Sequence, residues 1–186
     1  MDKTVMASIL LFMSLAAYGN EAEKYHGMVF SDWESPTEYK YLGGGCIGRE
    51  MGLSEANNCA FSISDAEITT RATKKIKVLF LQSNTGEKKT VTSPFNGKLT
   101  DSPIWKIEDS IELSPKEEHL DTELCVSSEY PNTKIVCSGK WNWRKKPSGW
   151  GYMKPIKKAW RIDIDNKKFI EIDTKNVKCE LNEDRN

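Results

Sequence analysis

The chain has 186 residues, with 27 Lys and Arg balanced by 27 Asp and Glu, and is 38% hydrophobic and 10% aromatic. This length implies one domain, and six each of Trp, Tyr and Phe argue against a chain disordered throughout, which would lack aromatics and carry a large net charge. A formal net charge of zero removes any whole-protein electrostatic case for nucleic acid or an anionic membrane, so such a case must rest on local patches.

Lys3 precedes an uninterrupted small and apolar run from Met6 to Ala17, and Ala17-Tyr18-Gly19 places small residues where signal peptidase needs them. Residues 1–19 therefore read as a signal peptide and 20–186 as the mature domain. The run falls short of the about 20 apolar residues that span a bilayer, and no later segment approaches that length, so no transmembrane segment is expected after cleavage. No Cys follows the run as a lipid-bearing terminus would require. The expected address is periplasmic or secreted, and the absence of an Asn-x-Ser/Thr sequon after Gly19 favours the periplasm.

Gly43-Gly-Gly45 lacks the spacing of a phosphate-binding fingerprint and reads as a turn or bulge. A helical turn is expected from Ser54. Lys75–Gln82 and Lys88–Ser93 alternate with period two around Ser83–Glu87, the pattern of a β-hairpin. Trp105–Leu113 is a further strand with a break near Asp109-Ser110. Ser114-Pro-Lys-Glu117 matches a capping box with Pro at the first helical position, predicting two helical turns to Asp121. Glu123–Ser128 and Lys134–Ser138 flank Glu129-Tyr-Pro-Asn-Thr133, again a hairpin. Ala159–Asp165 puts Trp160, Ile162 and Ile164 on one face, Asn166-Lys-Lys168 turns, Phe169–Asp173 returns, and Asn176–Leu181 ends the pattern. No repeat or linker divides the chain. The expected fold is a single, mainly β, disulfide-bonded domain, an antiparallel sandwich or barrel with one or two short helices.

Five cysteines, Cys46, Cys59, Cys125, Cys137 and Cys179, fit an oxidising compartment with two bridges and one thiol left over. The hairpin predicted around Pro131 sets Cys125 opposite Cys137, within disulfide reach. Cys46 and Cys59 are the second expected pair, with Cys179 the competitor for either. No C-x-x-C occurs, and His26 and His119 are not spaced with the cysteines as ligands, so no metal or other cofactor is expected.

Lys140 to Arg161 contains eight cations and no acid, interleaved with Trp141, Trp143, Trp150, Trp160 and Tyr152. Parity assigns Trp141, Trp143 and Trp160 to a core face, whereas Trp150 and Tyr152 sit beside Gly and Pro in what reads as a projecting loop, 144–156. Trp and Arg dominate binding hot spots, which makes Arg144, Lys145, Lys146, Trp150, Tyr152 and Lys154 the candidate binding residues. The reading they favour is an inhibitor or immunity-type protein that engages a protein partner. Stacking on an anionic glycan or lipid headgroup is the alternative, and nucleic acid is not expected for an exported chain of zero net charge. An opposing acidic run from Glu108 to Glu123 reads as a solvated face, with pairing to the basic loop as the sharper alternative. There is no Gly-x-Ser-x-Gly elbow and no His-Glu-x-x-His, so the chain is expected not to be an enzyme. A small envelope hydrolase built on paired carboxylates is the third reading.

Overall fold

The computed structural model describes residues 21–31, 39–47, 59–70, 73–93, 96–113, 118–120, 125–143 and 150–182. The signal peptide 1–19, the turn from Ser54, Ser114–Glu117, and Arg144, Lys145 and Lys146 lie outside these residues. The fold is mainly β, with two antiparallel sheets stacked as a sandwich. The first has five strands: β1 (Val29–Ser31), β2 (Tyr39–Cys46), β3 (Phe61–Thr69), β4 (Lys75–Thr92) and β5 (Leu99–Leu113), in the order β1-β5-β4-β3-β2. The second contains β6 (Glu118–Leu120), β7 (Cys125–Ser127), β8 (Ile135–Trp143), β9 (Trp150–Asp163), β10 (Lys168–Ile172) and β11 (Val177–Asn182). Its order is β6-β8-β9-β11-β7, and β10 lies alongside the other end of β9.

Val78, Leu79, Phe80 and Leu81 are all buried, with at most 1% exposure, because both faces of the first sheet are covered. Ile76, Val78 and Phe80 meet Tyr25 and Ala22 of the N-terminal segment together with Tyr39, Ile68 and Ile107. Tyr39 stacks on Phe80 at 5.4 Å between ring centroids and Tyr25 meets it edge-on at 5.7 Å. Leu79, Leu81 and Ile63 face the other way and pack against Val136, Trp160 and Ile162 of the second sheet. Burial is what holds the layers together, at roughly 25 cal/mol per Å² of apolar surface removed from water.

A cluster of charge also joins the sheets. The β4–β5 register shifts between Leu81, opposite Asp109, and Gln82, opposite Ile107, so Glu108 is the extra residue of a bulge, a device that re-aims side chains. The nearly buried Glu108 carboxylate accepts hydrogen bonds from Ser83 Oγ at 2.6 Å, from Lys106 Nζ at 3.1 Å and from Lys167 Nζ at 2.8 Å. Lys167 belongs to the turn between β9 and β10, and Asp109 Oδ2 accepts from the Phe169 backbone N–H at 2.8 Å. Burial alone would raise the Glu108 carboxyl. The Lys167, Ser83 and Lys106 hydrogen bonds more than reverse that and bring it down from 4.5 to about 2. The cations paired with Glu108 thus lie outside the basic segment 140–161.

Three local expectations are corrected. Ser83–Glu87 is not a hairpin turn: β4 runs through it, and the register shift between Asn84 and Lys88 accommodates it as a bulge, with Gly86 at φ 83° accepting the left-handed conformation and donating to Asn84 Oδ1. The chain reverses instead between Ser93 and Lys98, where Ser93 N–H donates to the Lys98 carbonyl and Gly97 sits at φ 67°. The helix predicted to reach Asp121 gives way, over Glu118–Leu120, to a strand whose residues pair with Gly139, Ser138 and Cys137 of β8. Helix capping is worth about 1 kcal/mol, and pairing along an exposed sheet edge outweighs it. The helices among the described residues are two three-residue 3-10 turns, Glu23–Tyr25 and Thr174–Asn176.

The disulfide is the third correction. Cys125 bonds Cys179, not Cys137, and Cys46 and Cys59 are not joined to each other. β7 does not pair with β8 as a hairpin. It pairs with β11, where Cys125 and Cys179 are directly opposed with Cα atoms 4.1 Å apart, while Cys137 faces Ala159 and Leu120 in its own ladder. Cys46 lies opposite Ser62 on β3, and Cys59 Sγ donates to the Phe61 carbonyl. The Gly43–Gly45 expectation fits, since the β2–β3 register shifts between Tyr41 and Gly43.

Candidate functional site

The basic, aromatic segment folds as the outer half of the β8–β9 hairpin, and two glycines set its surface. A Cβ on Gly139 would collide with the Pro155 carbonyl and come within 2.9 Å of Met153 Cγ and Sδ. At Gly151 it would collide with the Trp141 indole, reaching Cε2 at 2.6 Å and Nε1 at 2.7 Å. Trp141 therefore lies across the bare backbone of Gly151 on the neighbouring strand. Trp143 meets it edge to face, with centroids 5.5 Å apart and planes at 79°, and is 62% exposed. Asn142 braces this end of the hairpin: its side-chain amide donates to the Lys154 carbonyl at 2.7 Å and the Lys140 carbonyl at 3.1 Å.

The other edge of β9 leaves a gap. β10 pairs with β9 from Ala159 to Asp163 and β11 pairs with it from Trp150 to Tyr152, so residues 153–158 have no strand partner on that side among the described residues. The 3-10 turn Thr174–Asn176 crosses the gap. A groove of ≈ 680 Å³ opens there, and Tyr152, Lys154, Pro155, Lys175, Lys178 and Cys179 contribute to its walls. Asp173 pins the turn by accepting from the Lys175 backbone N–H at 2.9 Å, which holds its carboxyl below the usual range. Lys154, Lys157, Lys158, Lys175 and Lys178 are exposed. The Lys175–Asp173 ion pair at 3.5 Å is solvent-bathed on both sides and neutralises little of this charge.

Two sequence-predicted residues, Tyr152 and Lys154, thus share a groove wall, though they lie in strand β9 and not in a projecting loop. Trp150 is the first residue of that strand. Trp160 is core, at 5% exposure, as its parity with Ile162 predicts. Trp143 is not: it is 62% exposed, and its neighbour Trp141 packs against the Cys137 and Met153 cluster, which includes no residue of the first sheet. Lys175 and Lys178 were not among the predicted residues because they reach the groove from a segment distant in sequence, and no local pattern marks them.

Among the described residues, the cluster tight enough to ligate a metal is Cys125, Cys137 and Cys179, whose sulfurs lie within 4.8 Å of one another. Two of these sulfurs are engaged in the disulfide. The third, Cys137, is fully buried among Ile135, Met153, Ala159 and Val177, and burial pushes its thiol up to about 12. At neutral pH it is a protonated thiol, not a poised nucleophile. No family model, curated protein or solved structure matches the chain.

Proposed function

We propose that the protein is an exported, non-catalytic binding protein of the inhibitor or immunity kind, and that the outer end of the β8–β9 hairpin engages an acidic surface on a protein partner. The observation that carries this reading is the exposed Trp143 standing on Trp141, directly before Arg144, Lys145 and Lys146 in sequence and beside a return strand bearing Tyr152 and Lys154. An aromatic pair followed in sequence by three cations has the composition of an interface hot spot, and local positive charge on a neutral protein favours a complementary acidic partner.

The test is affinity capture from envelope extract with wild type beside Trp143→Ala/Tyr152→Ala, the variant first shown by circular dichroism to keep its β signature. One defined protein retained by wild type and lost by the variant supports the reading. Equal capture by both proteins overturns it.

The groove supports a second reading, an anionic glycan or lipid headgroup held by Lys154, Lys175 and Lys178 beside the Tyr152 ring. Concave sites of this size suit small ligands. Salt separates the two: headgroup binding through several lysines should collapse between low and high salt, and an aromatic-anchored protein interface should lose less.

A further inference from the structure

We propose that Cys137 and the Cys125–Cys179 bridge form a thiol–disulfide interchange site, and that its state decides which strand anchors the β11 wall of the basic groove. The interchange stands on its own geometry, and its consequence for the groove rests on the binding reading above. The three sulfurs come from three different strands, β7, β8 and β11, and converge within 4.8 Å. β11 pairs with β7 at one end and with β9 at the other, and residues of β7, β8, β9 and β11 share one buried cluster, with Ile135, Met153, Ala159 and Val177 around the sulfurs. Cys179 also lines the groove, so the chemistry of this cluster borders the candidate binding surface.

The reaction balances without an outside oxidant or reductant. Cys137 gives its proton to solvent, and its thiolate attacks Sγ of Cys125 or Cys179. A new S–S bond forms as the 125–179 bond breaks, and the departing sulfur carries away the electron pair and is reprotonated. One disulfide and one thiol are present before and after. A 137–179 bridge ties β11 directly to β8. A 125–137 bridge ties β7 to β8 and releases β11, which carries Lys178 and Glu180 on the groove wall.

Burial makes the resting state persistent. The apolar surroundings that raise the Cys137 thiol leave only about one molecule in 10⁵ as thiolate near neutral pH. The Tyr130 phenol, whose ring carries the Arg161 guanidinium at 5.6 Å, packs against the same cluster, and β6, which pairs with Cys137 through Leu120, brings His119 and Glu118 opposite the next two residues of β8. The thiolate fraction, and with it the interchange rate, therefore rises about tenfold per pH unit through the alkaline range.

The experiment is a disulfide map of the full chain in a Cys46→Ser/Cys59→Ser background, which leaves three cysteines. Folded protein is held at about pH 7 and about pH 9, quenched in acid, alkylated after denaturation and digested for mass spectrometry. The expected result is a 125–179 link at the start and peptides joining Cys137 to Cys125 or Cys179 accumulating about 100-fold faster at the higher pH. Only the 125–179 link after prolonged incubation of folded protein overturns the proposal. In Cys179→Ser, oxidised with glutathione disulfide, a 125–137 bridge is expected, and a persistent Cys137 thiol in a folded variant overturns it too. Should that variant not fold, the pH map alone decides. No partner is present in either measurement, so its failure leaves the hairpin reading intact, and failure of the capture experiment leaves the interchange intact.

Discussion

Replacing Glu108 by Gln removes the charge at the junction of the two sheets while keeping the side chain's size and its capacity to bond Ser83. Holding the carboxyl at about 2 instead of 4.5, at about 1.4 kcal/mol per pH unit, sets a ceiling of about 3.5 kcal/mol. The two lysines that hold it are 42% and 45% exposed, so solvent screening brings the expected cost of Glu108→Gln near neutral pH to about 2 kcal/mol. The folded carboxyl lies below its unfolded value. Its contribution is therefore fully present above about pH 4.5 and is lost as pH falls through about 2. Asp163, Asp173 and Glu67 are also held below their usual range and lose stability in the same direction, so the difference between wild type and variant isolates Glu108. Urea unfolding followed by Trp fluorescence should show a penalty of about 2 kcal/mol near pH 7 and under about 0.5 kcal/mol near pH 2, with salt reducing the former. A penalty that is absent at neutral pH, or unchanged on acidification, would refute the ionic account of this junction.

Trp160→Ala truncates a 5%-exposed aromatic between the sheets and should cost about 3–5 kcal/mol in urea unfolding. Trp143→Ala, at a 62%-exposed position, should stay within about 0.5 kcal/mol of wild type; a large loss would show that this indole is structural. Gly151→Ala drives a Cβ into the Trp141 ring and should cost about 1–3 kcal/mol. Adding Trp141→Ala should relieve part of that cost, a non-additivity that a double-mutant cycle measures directly.

What was legible in the sequence was local and periodic. The alternation from Ala159 to Asp173 places the β9–β10 turn within two residues of where it lies, and Trp160, Ile162 and Ile164 share the face that parity assigns them. The β-rich class, the presence of a disulfide and the bulge at Gly43 follow from the same kind of evidence. Where local and non-local signals competed, the local one misled. Asn84 and Gly86 carry turn chemistry, yet β5 is long enough to pair on both sides of them, so the chain bulges and continues. Capping at Ser114 is outweighed, over Glu118–Leu120, by the open edge of β8. Cys125 and Cys137 are near in sequence, but the strand that lies opposite Cys125 comes from the far C-terminus.

The sequence by itself determined which segments are extended, which residues need burial, and that cations and aromatics concentrate between Lys140 and Arg161. Each follows from spacing within one segment, and spacing is all a linear chain displays. Only the tertiary structure decided that Glu108 reaches Lys167, that Lys175 and Lys178 join Tyr152 and Lys154 around one groove, and that Cys137 lies beneath a bridge made by two other strands. Those contacts join residues far apart along the chain, and their partners are selected by the stacking of whole sheets, which no local pattern encodes.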